Sequence, residues 1–238
     1  MFNLRSAIYA SVLAAPMFFA AGTASAVVVS GSSGGTFSNV TNCQGDNCRI
    51  NNTSNGTATQ LEWGYKNGFF GNDGSTLTAV DRTWNTTTNA DDLILAELVW
   101  LNLATPSDVT PNAFNARYTL AISFNNPNVA SDTEVFNLQI TNPTNSAGDL
   151  ISGLALADLG NLSFNLNGVV ISDLKYKLAT GGGSNSFNSN VWYNPENNTS
   201  RMYITADFKT AVVPEPASLG LVAAGLFGLG VLRQRRKV

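Results

Sequence analysis

Hydrophobic and polar residues alternate along the central part of the chain with a period of two. Because successive side chains of a β-strand point to opposite faces, this alternation predicts strands with one buried face. The clearest case is ARYTLAISF, in which one face consists of Ala116, Tyr118, Leu120, Ile122 and Phe124. The pattern recurs in FNLQI, LSFNL and RMYITADF at residues 136–140, 162–166 and 201–208, and further strand candidates are QLEWGY, LTAV and VVISDLKYKL.

Turn-forming residues separate these segments. They are Gly34-Gly35, Asn72-Asp73-Gly74, Asn125-Asn126-Pro127, Asn142-Pro143 and Gly181-Gly182-Gly183. The stretch DLILAELVWLNL at 92–103 suits either a buried strand or a short helix, and its β-rich surroundings favour a strand. Several strands at short spacing, without long helical patterns, predict an all-β fold for residues 27–210, an antiparallel β-sandwich of jelly-roll-like type.

The first 26 residues have the pattern of a secretory signal peptide. A single charge, Arg5, precedes an apolar stretch from Ala7 to Ala21, and the segment closes with Ala24-Ser25-Ala26. Small residues at the last and third-last positions suit signal peptidase, so cleavage after Ala26 is expected. An N-terminal membrane anchor is the alternative, and the shortness of the stretch and its interruption by Pro16 favour a removable signal.

The last 28 residues, 211–238, form a second terminal segment with three parts. Pro214-Glu215-Pro216 comes first, and residues 217–232 then contain no charge. Sixteen residues of helix reach about 24 Å, short of the roughly 30 Å hydrocarbon core, so flanking residues must help a transmembrane helix to span. The basic cluster that follows stays cytoplasmic by the positive-inside rule and comprises Arg233, Arg235, Arg236 and Lys237.

Two prolines keep the segment before the apolar run extended and out of the helix. A plain C-terminal anchor is one interpretation of this tail. The other is a sorting signal, in which an extended recognition site beside the membrane is cut by a membrane-embedded enzyme and the apolar tail is removed.

Charge separates the body from the tail. Charged residues make up only 12% of the chain. Residues 27–213 contain eight Lys/Arg and fifteen Asp/Glu, a net charge of −7, whereas the tail is basic. An acidic body argues against nucleic-acid binding, which needs Lys and Arg to displace phosphate counterions. The low charge content and the abundance of Asn, Thr, Ser and Gly are typical of an exported β-rich protein.

Cys43 and Cys48 are the two cysteines, within NCQGDNC. Export places them in an oxidising compartment, which favours a disulfide across this short loop. A zinc site lacks ligands, because the chain has no histidine and no further cysteine. A redox pair is disfavoured by the C-x4-C spacing.

The absence of histidine also excludes Ser-His-Asp and Cys-His catalysis, so no catalytic residue is assigned. Paired carboxylates for glycoside hydrolysis remain open, without a spacing signal, at Glu62, Asp91, Glu97 and Glu196.

Two kinds of binding residue are candidates. Clustered oxygens at Asp73, Asp91 and Asp92 suit calcium, but ordinary turn chemistry is the favoured explanation for these residues, and no other cofactor is indicated. Trp192 and the adjacent Tyr193 could stack on sugar rings. Neighbours on a strand face opposite sides, so one at most is exposed, and a core position for Trp192 and Trp63 is the alternative.

The tail VPEPASLGLVAAGLFGLGVLRQRRKV resembles the PEP-CTERM sorting signal of Gram-negative bacteria in all three of its parts. This resemblance implies recognition by an exosortase, cleavage near Pro214–Pro216 and transfer from the inner membrane to the cell surface or medium. The family accompanies exopolysaccharide and biofilm-matrix gene sets.

The body resembles the choice-of-anchor K domain and its THxN group in LEWGY, LAELVWLNLATP, RYTLAISF and VWYNPENNTSRMYITADF. Where that group has Thr-His-x-Asn, this chain has Val99-Trp100-Leu101-Asn102, so only the Asn is kept. The resemblance supports a β-sandwich and implies no activity.

Together these patterns predict a non-enzymatic, exported surface or matrix protein, sorted by an exosortase and associated with exopolysaccharide. A carbohydrate-binding module, with or without calcium, is the first alternative. A glycoside-active enzyme is the second.

Overall fold

The computed structural model describes residues 26–43, 47–52, 58–64, 74–105, 112–142, 148–179, 184–211 and 226. Over these residues the chain forms thirteen strands and one short helix, α1, at Leu156–Leu159. The strands are β1 Val28–Thr41, β2 Cys48–Asn52, β3 Ala58–Trp63, β4 Ser75–Val80, β5 Arg82–Thr87, β6 Ala90–Asn102, β7 Ala113–Asn126, β8 Ala130–Thr141, β9 Asp149–Ser152, β10 Val169–Leu178, β11 Ser186–Asn188, β12 Val191–Asn194 and β13 Asn198–Thr210.

The strands form two antiparallel sheets. Sheet A has the order β11-β12-β9-β8-β7-β1-β5, and sheet B has the order β10-β13-β6-β4-β3-β2. This arrangement confirms the predicted all-β sandwich, while its jelly-roll-like connection stays a prediction. The ambiguous stretch at 92–103 lies almost wholly in β6, so the preference for a strand is confirmed.

The core lies between the sheets and is formed by the alternating positions. All five residues of the predicted inner face of ARYTLAISF are buried on β7. Aromatic rings meet both across this core and within a sheet. Phe124 of sheet A lies 5.9 Å from Phe208 of sheet B, and Tyr118 stacks on its cross-strand partner Phe136 in sheet A, at 5.7 Å between ring centroids. Aromatic pairs at this spacing contribute beyond the area that they bury.

The prediction of a turn at Gly34-Gly35 is wrong, because both residues lie inside β1. The reason is close packing rather than chain reversal. A Cβ atom on Gly35 would lie 2.7 Å from the Ala79 side chain of sheet B and 2.7 Å from the Tyr118 ring. The Thr59 hydroxyl also donates to the Gly35 carbonyl oxygen at 2.8 Å. Glycine therefore lets β1 approach the opposite sheet.

The prediction of a strand at LSFNL is also wrong. Leu162 and Leu166 are buried as the alternation indicates, but the segment pairs with no strand in the described residues. Side chains take the place of a neighbouring strand: the Ser163 amide donates to Asp132 Oδ2 at 2.8 Å, and Asn128 Nδ2 donates to the Asn165 carbonyl oxygen at 3.0 Å. Alternating burial alone does not provide a backbone partner.

Different strands begin and finish at the two ends of the sandwich. At the terminal end, defined by Val27, Thr88, Gly168 and Thr210, β1 and β10 begin and β5 and β13 finish. At the far end β3, β6, β8 and β12 finish and β4, β9 and β13 begin.

Candidate functional site

Hydrogen bonds join the first and last residues of the sandwich at the terminal end. The Val27 amide donates to Thr88 Oγ1 at 2.9 Å, and the Thr88 amide donates to the Val27 carbonyl oxygen at 2.8 Å. The Thr88 and Thr210 hydroxyls are hydrogen-bonded at 2.7 Å. Ala211 donates its amide hydrogen to the Gly168 carbonyl oxygen at 2.9 Å. The predicted signal peptide and the C-terminal segment therefore attach side by side.

Several predicted site residues lie outside the described residues. They are Ala24, Asp73, Pro214, Glu215, Pro216, Arg233, Arg235, Arg236 and Lys237. Ala26, the other residue of the predicted cleavage site, is exposed directly before Val27. Across the described part of the chain, no helix has the length and apolar character needed to cross a membrane. The predicted helix at 217–232 falls outside that part except for Leu226.

The predicted disulfide is present. Cys43 and Cys48 are bonded, with Cα atoms 6.1 Å apart, just after β1 and at the start of β2. The bond thus links the last residues of a sheet A strand to the edge strand of sheet B. The bond therefore fastens the short crossover between the two sheets.

Replacing both cysteines by serine is expected to destabilise the domain by about 2 kcal/mol, because the bond closes only a small loop in the unfolded chain. Urea denaturation of the C43S/C48S variant measures this loss, with the wild-type protein under reducing conditions as the control. A loss above about 4 kcal/mol would show that the bond does more than restrict the unfolded chain.

The side chains of Asp91 and Asp92, two predicted calcium residues, have different surroundings. Asp91 is exposed, whereas Asp92 lies with Asp173 and Asp207 so that one oxygen of each is within 4.8 Å of the others. The Asp92 amide also donates to Asp207 Oδ1 at 2.9 Å. Register places these acids together across β6, β13 and β10, a grouping that sequence spacing does not reveal.

Two lysines already supply positive charge to this acidic group. Lys175 Nζ lies 3.0 Å from Asp92 Oδ1 and also contacts Asp173, and Lys177 Nζ lies 2.8 Å from Asp92 Oδ2. The hydrogen bond from Lys177, followed by that from Lys175, lowers the pKa of Asp92. A calcium ion bound here would have to displace ammonium groups, so the geometry is that of an exposed ion-pair network.

Glu62, a candidate acid for glycoside hydrolysis, is 8% exposed, and both of its carboxylate oxygens accept hydrogen bonds. Arg49 donates from Nε and Nη2 to its two oxygens at 2.7 and 2.9 Å, and Asn51 Nδ2 adds a bond of 2.6 Å. Paired hydrogen bonds between a guanidinium group and a carboxylate are stronger than bonds between neutral groups and fix the geometry of both side chains. This environment suits an ion pair between neighbouring strands.

Glu97 is held in the same way at the centre of sheet B. It is 2% exposed, and Arg201 Nη1 donates to its Oε1 at 2.6 Å while Arg82 Nη2 donates to its Oε2. Arg82 starts β5 of the opposite sheet, so the carboxylate ties the two sheets together.

Glu62 and Glu97 are too far apart to act as a glycosidase pair. Glu62 faces Thr76, and Thr76 faces Leu101, which is four residues along β6 from Glu97. Two strand spacings and four residues correspond to about 16 Å. Carboxyl pairs of glycosidases lie roughly 5–9.5 Å apart. The structure therefore brings no such pair together from these two residues.

The prediction that Trp192 could stack on sugar rings is wrong, because this residue is fully buried on the inner face of β12. Its ring meets Trp100 edge-on at 5.2 Å, and its indole N–H donates to Ser200 Oγ at 3.0 Å. The adjacent Tyr193 points to the opposite face and is half-buried. Trp63 is buried as well, so the alternative of core tryptophans is confirmed.

The far end contains a buried polar cluster that sequence patterns missed. Asn102 Nδ2 donates to the Asn194 carbonyl oxygen at 2.8 Å, and Asn194 Nδ2 donates to the Trp100 carbonyl oxygen at 3.1 Å. Ser75 Oγ donates to Asn102 Oδ1 at 3.2 Å. These bonds connect β4 and β6 of sheet B to β12 of sheet A. Asn102, the one residue kept from the Thr-His-x-Asn pattern, thus has a structural partner without any histidine.

Asp149 begins β9 in this cluster and is 1% exposed, and neither carboxylate oxygen has a hydrogen-bond partner among the described residues. Burial, reinforced by the charge of Glu196, raises its pKa to about 7. The Trp63 indole is near enough to lower this pKa somewhat, but without the geometry of a hydrogen bond. Glu196, another candidate acid, therefore acts on Asp149 through its charge.

The sandwich ends at Thr210, the last residue of β13, and the C-terminal segment begins at residue 211. Residues 212–237 match the family described as the PEP-CTERM protein-sorting motif. This match confirms the predicted sorting segment and implies an exported protein of a Gram-negative bacterium that is processed by an exosortase. No curated protein matches the sequence significantly. The resemblance of the body to the choice-of-anchor K domain stays a prediction.

Proposed function

We propose that this chain is a non-enzymatic protein of the cell surface or extracellular matrix that an exosortase releases from the inner membrane. The observation that supports the proposal most is the sorting motif at 212–237, which starts two residues after β13 ends at Thr210. The sandwich is the delivered domain, and its association with exopolysaccharide is part of the proposal.

The ion pairing and burial of the acidic residues are consistent with a binding or structural role for the body. Glu62 and Glu97 are neutralised by arginines, and Asp92 is neutralised by lysines. Asp149 is enclosed within the core. Paired carboxylates of this kind hold neighbouring strands together, and the exposed hydroxyl and amide groups of the sandwich suit contact with hydrated polysaccharide.

The topology of the precursor follows from the two terminal segments. The signal segment directs the body across the inner membrane, and the basic cluster at 233–237 stays cytoplasmic. The apolar run at 217–232 then holds the body outside until Pro214-Glu215-Pro216 is recognised. Signal peptidase and the exosortase are therefore the two processing partners.

Replacing Pro214, Glu215 and Pro216 together by alanine is expected to leave most of the protein in the membrane fraction. The substitution removes the recognition site but keeps the apolar run and the basic cluster. Immunoblotting of membrane and surface fractions measures the change, and Ser218→Ala within the same tail is the matched control. Normal release of the triple variant would contradict exosortase sorting through this motif.

A further inference from the structure

The two sheets differ in where their charged residues lie. In the described part of the chain, the strands of sheet B contain eleven charged residues. The strands of sheet A contain five, which are Arg82, Arg117, Asp132, Glu134 and Asp149. Alternation turns four of them toward sheet B. Among the described strand residues, Arg117 is thus the one charged side chain on the opposite side, here called the outer face of sheet A.

The ion pairs described above belong to sheet B. Arg49 binds Glu62, and Arg201 binds Glu97, in both cases across adjacent strands of that sheet. The aspartates at the terminal end belong to β6, β10 and β13 of the same sheet and are Asp91, Asp92, Asp173 and Asp207. Among the described residues, the outer face of sheet A therefore has no such ionic network.

Strand register aligns hydroxyl and amide side chains in rows across this outer face. The first row crosses β5, β1, β7 and β8 and consists of Thr83, Ser32, Ser123 and Ser131. Further rows contain Thr36 with Thr119, Ser38 with Arg117 and Asn137, and Thr41 with Asn115, Gln139 and Ser152. The four hydroxyls of the first row have no hydrogen-bond partner among the described residues, so they are available to a ligand.

The rows form a grid of hydrogen-bonding groups. Neighbouring strands lie about 4.8 Å apart, and alternate residues of one strand lie about 6.7 Å apart. Each hydroxyl can donate one hydrogen bond and accept others. A polymer that carries hydroxyl groups along its whole length can bond to several members of such a grid at once.

A depression of about 250 Å³ crosses the grid beside the first row. Its floor is low because the residues paired there, Gly34 and Ala121, have almost no side chain. Thr36 and Thr119 line one side of it. The Asp81 carboxylate closes one end, since a Cβ atom on Gly34 would lie 3.2 Å from Asp81 Oδ1. The depression thus offers hydroxyl groups and one carboxylate acceptor.

Tyr193 lies on the same outer face. It is opposite to the buried Trp192 on β12, and it pairs through Leu150 with Thr141 of β8. The residue of the predicted sugar-stacking pair that is not buried therefore stands at the margin of the grid.

A second copy of the chain has little apolar surface to bury on this face. Val28 and Val135 are its large exposed apolar residues in the described part of the chain. Val135 stands in the row of Thr36, which is eight residues along β1 from Val28, or about 26 Å. Stable dimer interfaces have a contiguous apolar core, which two separated valines do not form.

We propose that the outer face of sheet A binds an uncharged polysaccharide, held by the hydroxyl rows and the depression over Gly34. This inference rests on the proposed function, because it names the surface and the polymer class for the association with exopolysaccharide. An acidic polysaccharide would meet one cation, Arg117, and would be repelled by Asp81. A neutral polymer meets neither limitation.

The test uses the full-length chain in a detergent without sugar headgroups. Exopolysaccharide of the producing bacterium is separated by anion exchange into neutral and acidic fractions, each is immobilised, and biolayer interferometry measures the Kd. We expect binding to the neutral fraction to be at least about tenfold tighter than to the acidic fraction. Because no ion pair forms, this Kd should change less than about twofold between roughly 0.05 and 0.5 M salt.

Thr36→Glu and Thr133→Glu, made singly, place a carboxylate on either side of the depression at exposed positions. Each is expected to weaken binding to the neutral fraction about tenfold, because the carboxylate must lose water when the polymer approaches. Thr199→Glu, at an exposed threonine on β13 of sheet B, is the matched control and should stay within about twofold. Thermal denaturation checks that all three variants are folded.

The outcomes separate this inference from the proposed function. If the neutral fraction binds and Thr199→Glu weakens binding as much as the other two variants, the face is wrong while the association with exopolysaccharide stands. Preferential, salt-sensitive binding to the acidic fraction would overturn the choice of polymer. If neither fraction binds, the surface and the association fail together, while sorting is judged separately by the fractionation of the Pro214-Glu215-Pro216 variant. A dimer that Thr133→Glu converts to monomer would assign the face to a second copy and overturn the proposal.

Discussion

The Asp149→Asn variant is expected to gain stability over the wild-type protein as the pH rises, by about 4 kcal/mol between pH 4 and pH 8. The reason is the buried carboxyl group, whose pKa is raised from 3.8 to about 7 by burial and by the charge of Glu196. Asparagine has nearly the same shape and does not ionise, so it removes the cost of a buried charge.

The direction of this effect follows from where the proton is held. Between about pH 4 and pH 7 the folded protein keeps a proton on Asp149 that the unfolded chain has lost, so wild-type stability falls as the pH rises through this window. Below about pH 4 both states are protonated, and above about pH 7 the full cost applies. Urea denaturation at several pH values measures the difference, and a Glu196→Gln control should reduce the fall without removing it. A pH dependence unchanged in Asp149→Asn would contradict the account.

The Gly153→Ala variant is expected to lose about 3 kcal/mol of stability or more. Gly153 follows β9 with φ +94°, a conformation that L-residues rarely adopt. A Cβ atom at this position would overlap the backbone carbonyl group of Asn137 on the neighbouring β8. Backbone atoms cannot rotate away as a side chain can, so β9 would have to move.

Gly160→Ala is the matched control. Gly160 ends the short helix α1 with φ −66°, and an added Cβ would lie 3.2 Å from its nearest contact, the Ala157 carbonyl oxygen. We expect this variant to stay within about 0.5 kcal/mol of the wild-type protein. Thermal denaturation of both variants measures the contrast. Equal melting temperatures for the two would show that β9 is not confined as the structure indicates.

The fold could be predicted from sequence where burial and backbone pairing agree. In β7 and β8 the alternating side chains face the core and each strand has a neighbour on both sides. LSFNL has the same alternation, but Asp132 and Asn128 satisfy its backbone in place of a strand. Gly34-Gly35 resembles a turn in sequence, yet its glycines allow two sheets to approach. Both errors arise because contacts with residues that are distant in sequence determine the backbone conformation.

The candidate functional residues also differ in how far the sequence could predict them. The sorting segment could be found because its parts are contiguous: a rigid proline pair, an apolar run and a basic cluster. The Asp92 group, the ion pairs of Glu62 and Glu97 and the enclosed Asp149 depend on strand register, which the sequence does not state. Alternation did indicate that Trp192 and Tyr193 face opposite ways, and it could not decide which of them is enclosed.

The proximity of Val27 and Thr210, the first and last residues of the sandwich, follows from the topology alone. β1 and β13 belong to different sheets, and Thr88, in the turn between β5 and β6, hydrogen-bonds to both Val27 and Thr210. Nothing local to Val27 or Thr210 indicates this contact. It places the residues that precede and follow the sandwich, Ala26 and Ala211, at the same end of the fold.

Mass spectrometry of the intact protein recovered from the cell surface tests the central claim, exosortase-dependent sorting, most directly. The account predicts a chain that starts at Val27 and ends near Pro214–Pro216, together with a precursor that keeps its tail in the membranes of cells without the exosortase. A surface pool that still contains Lys237 would contradict it.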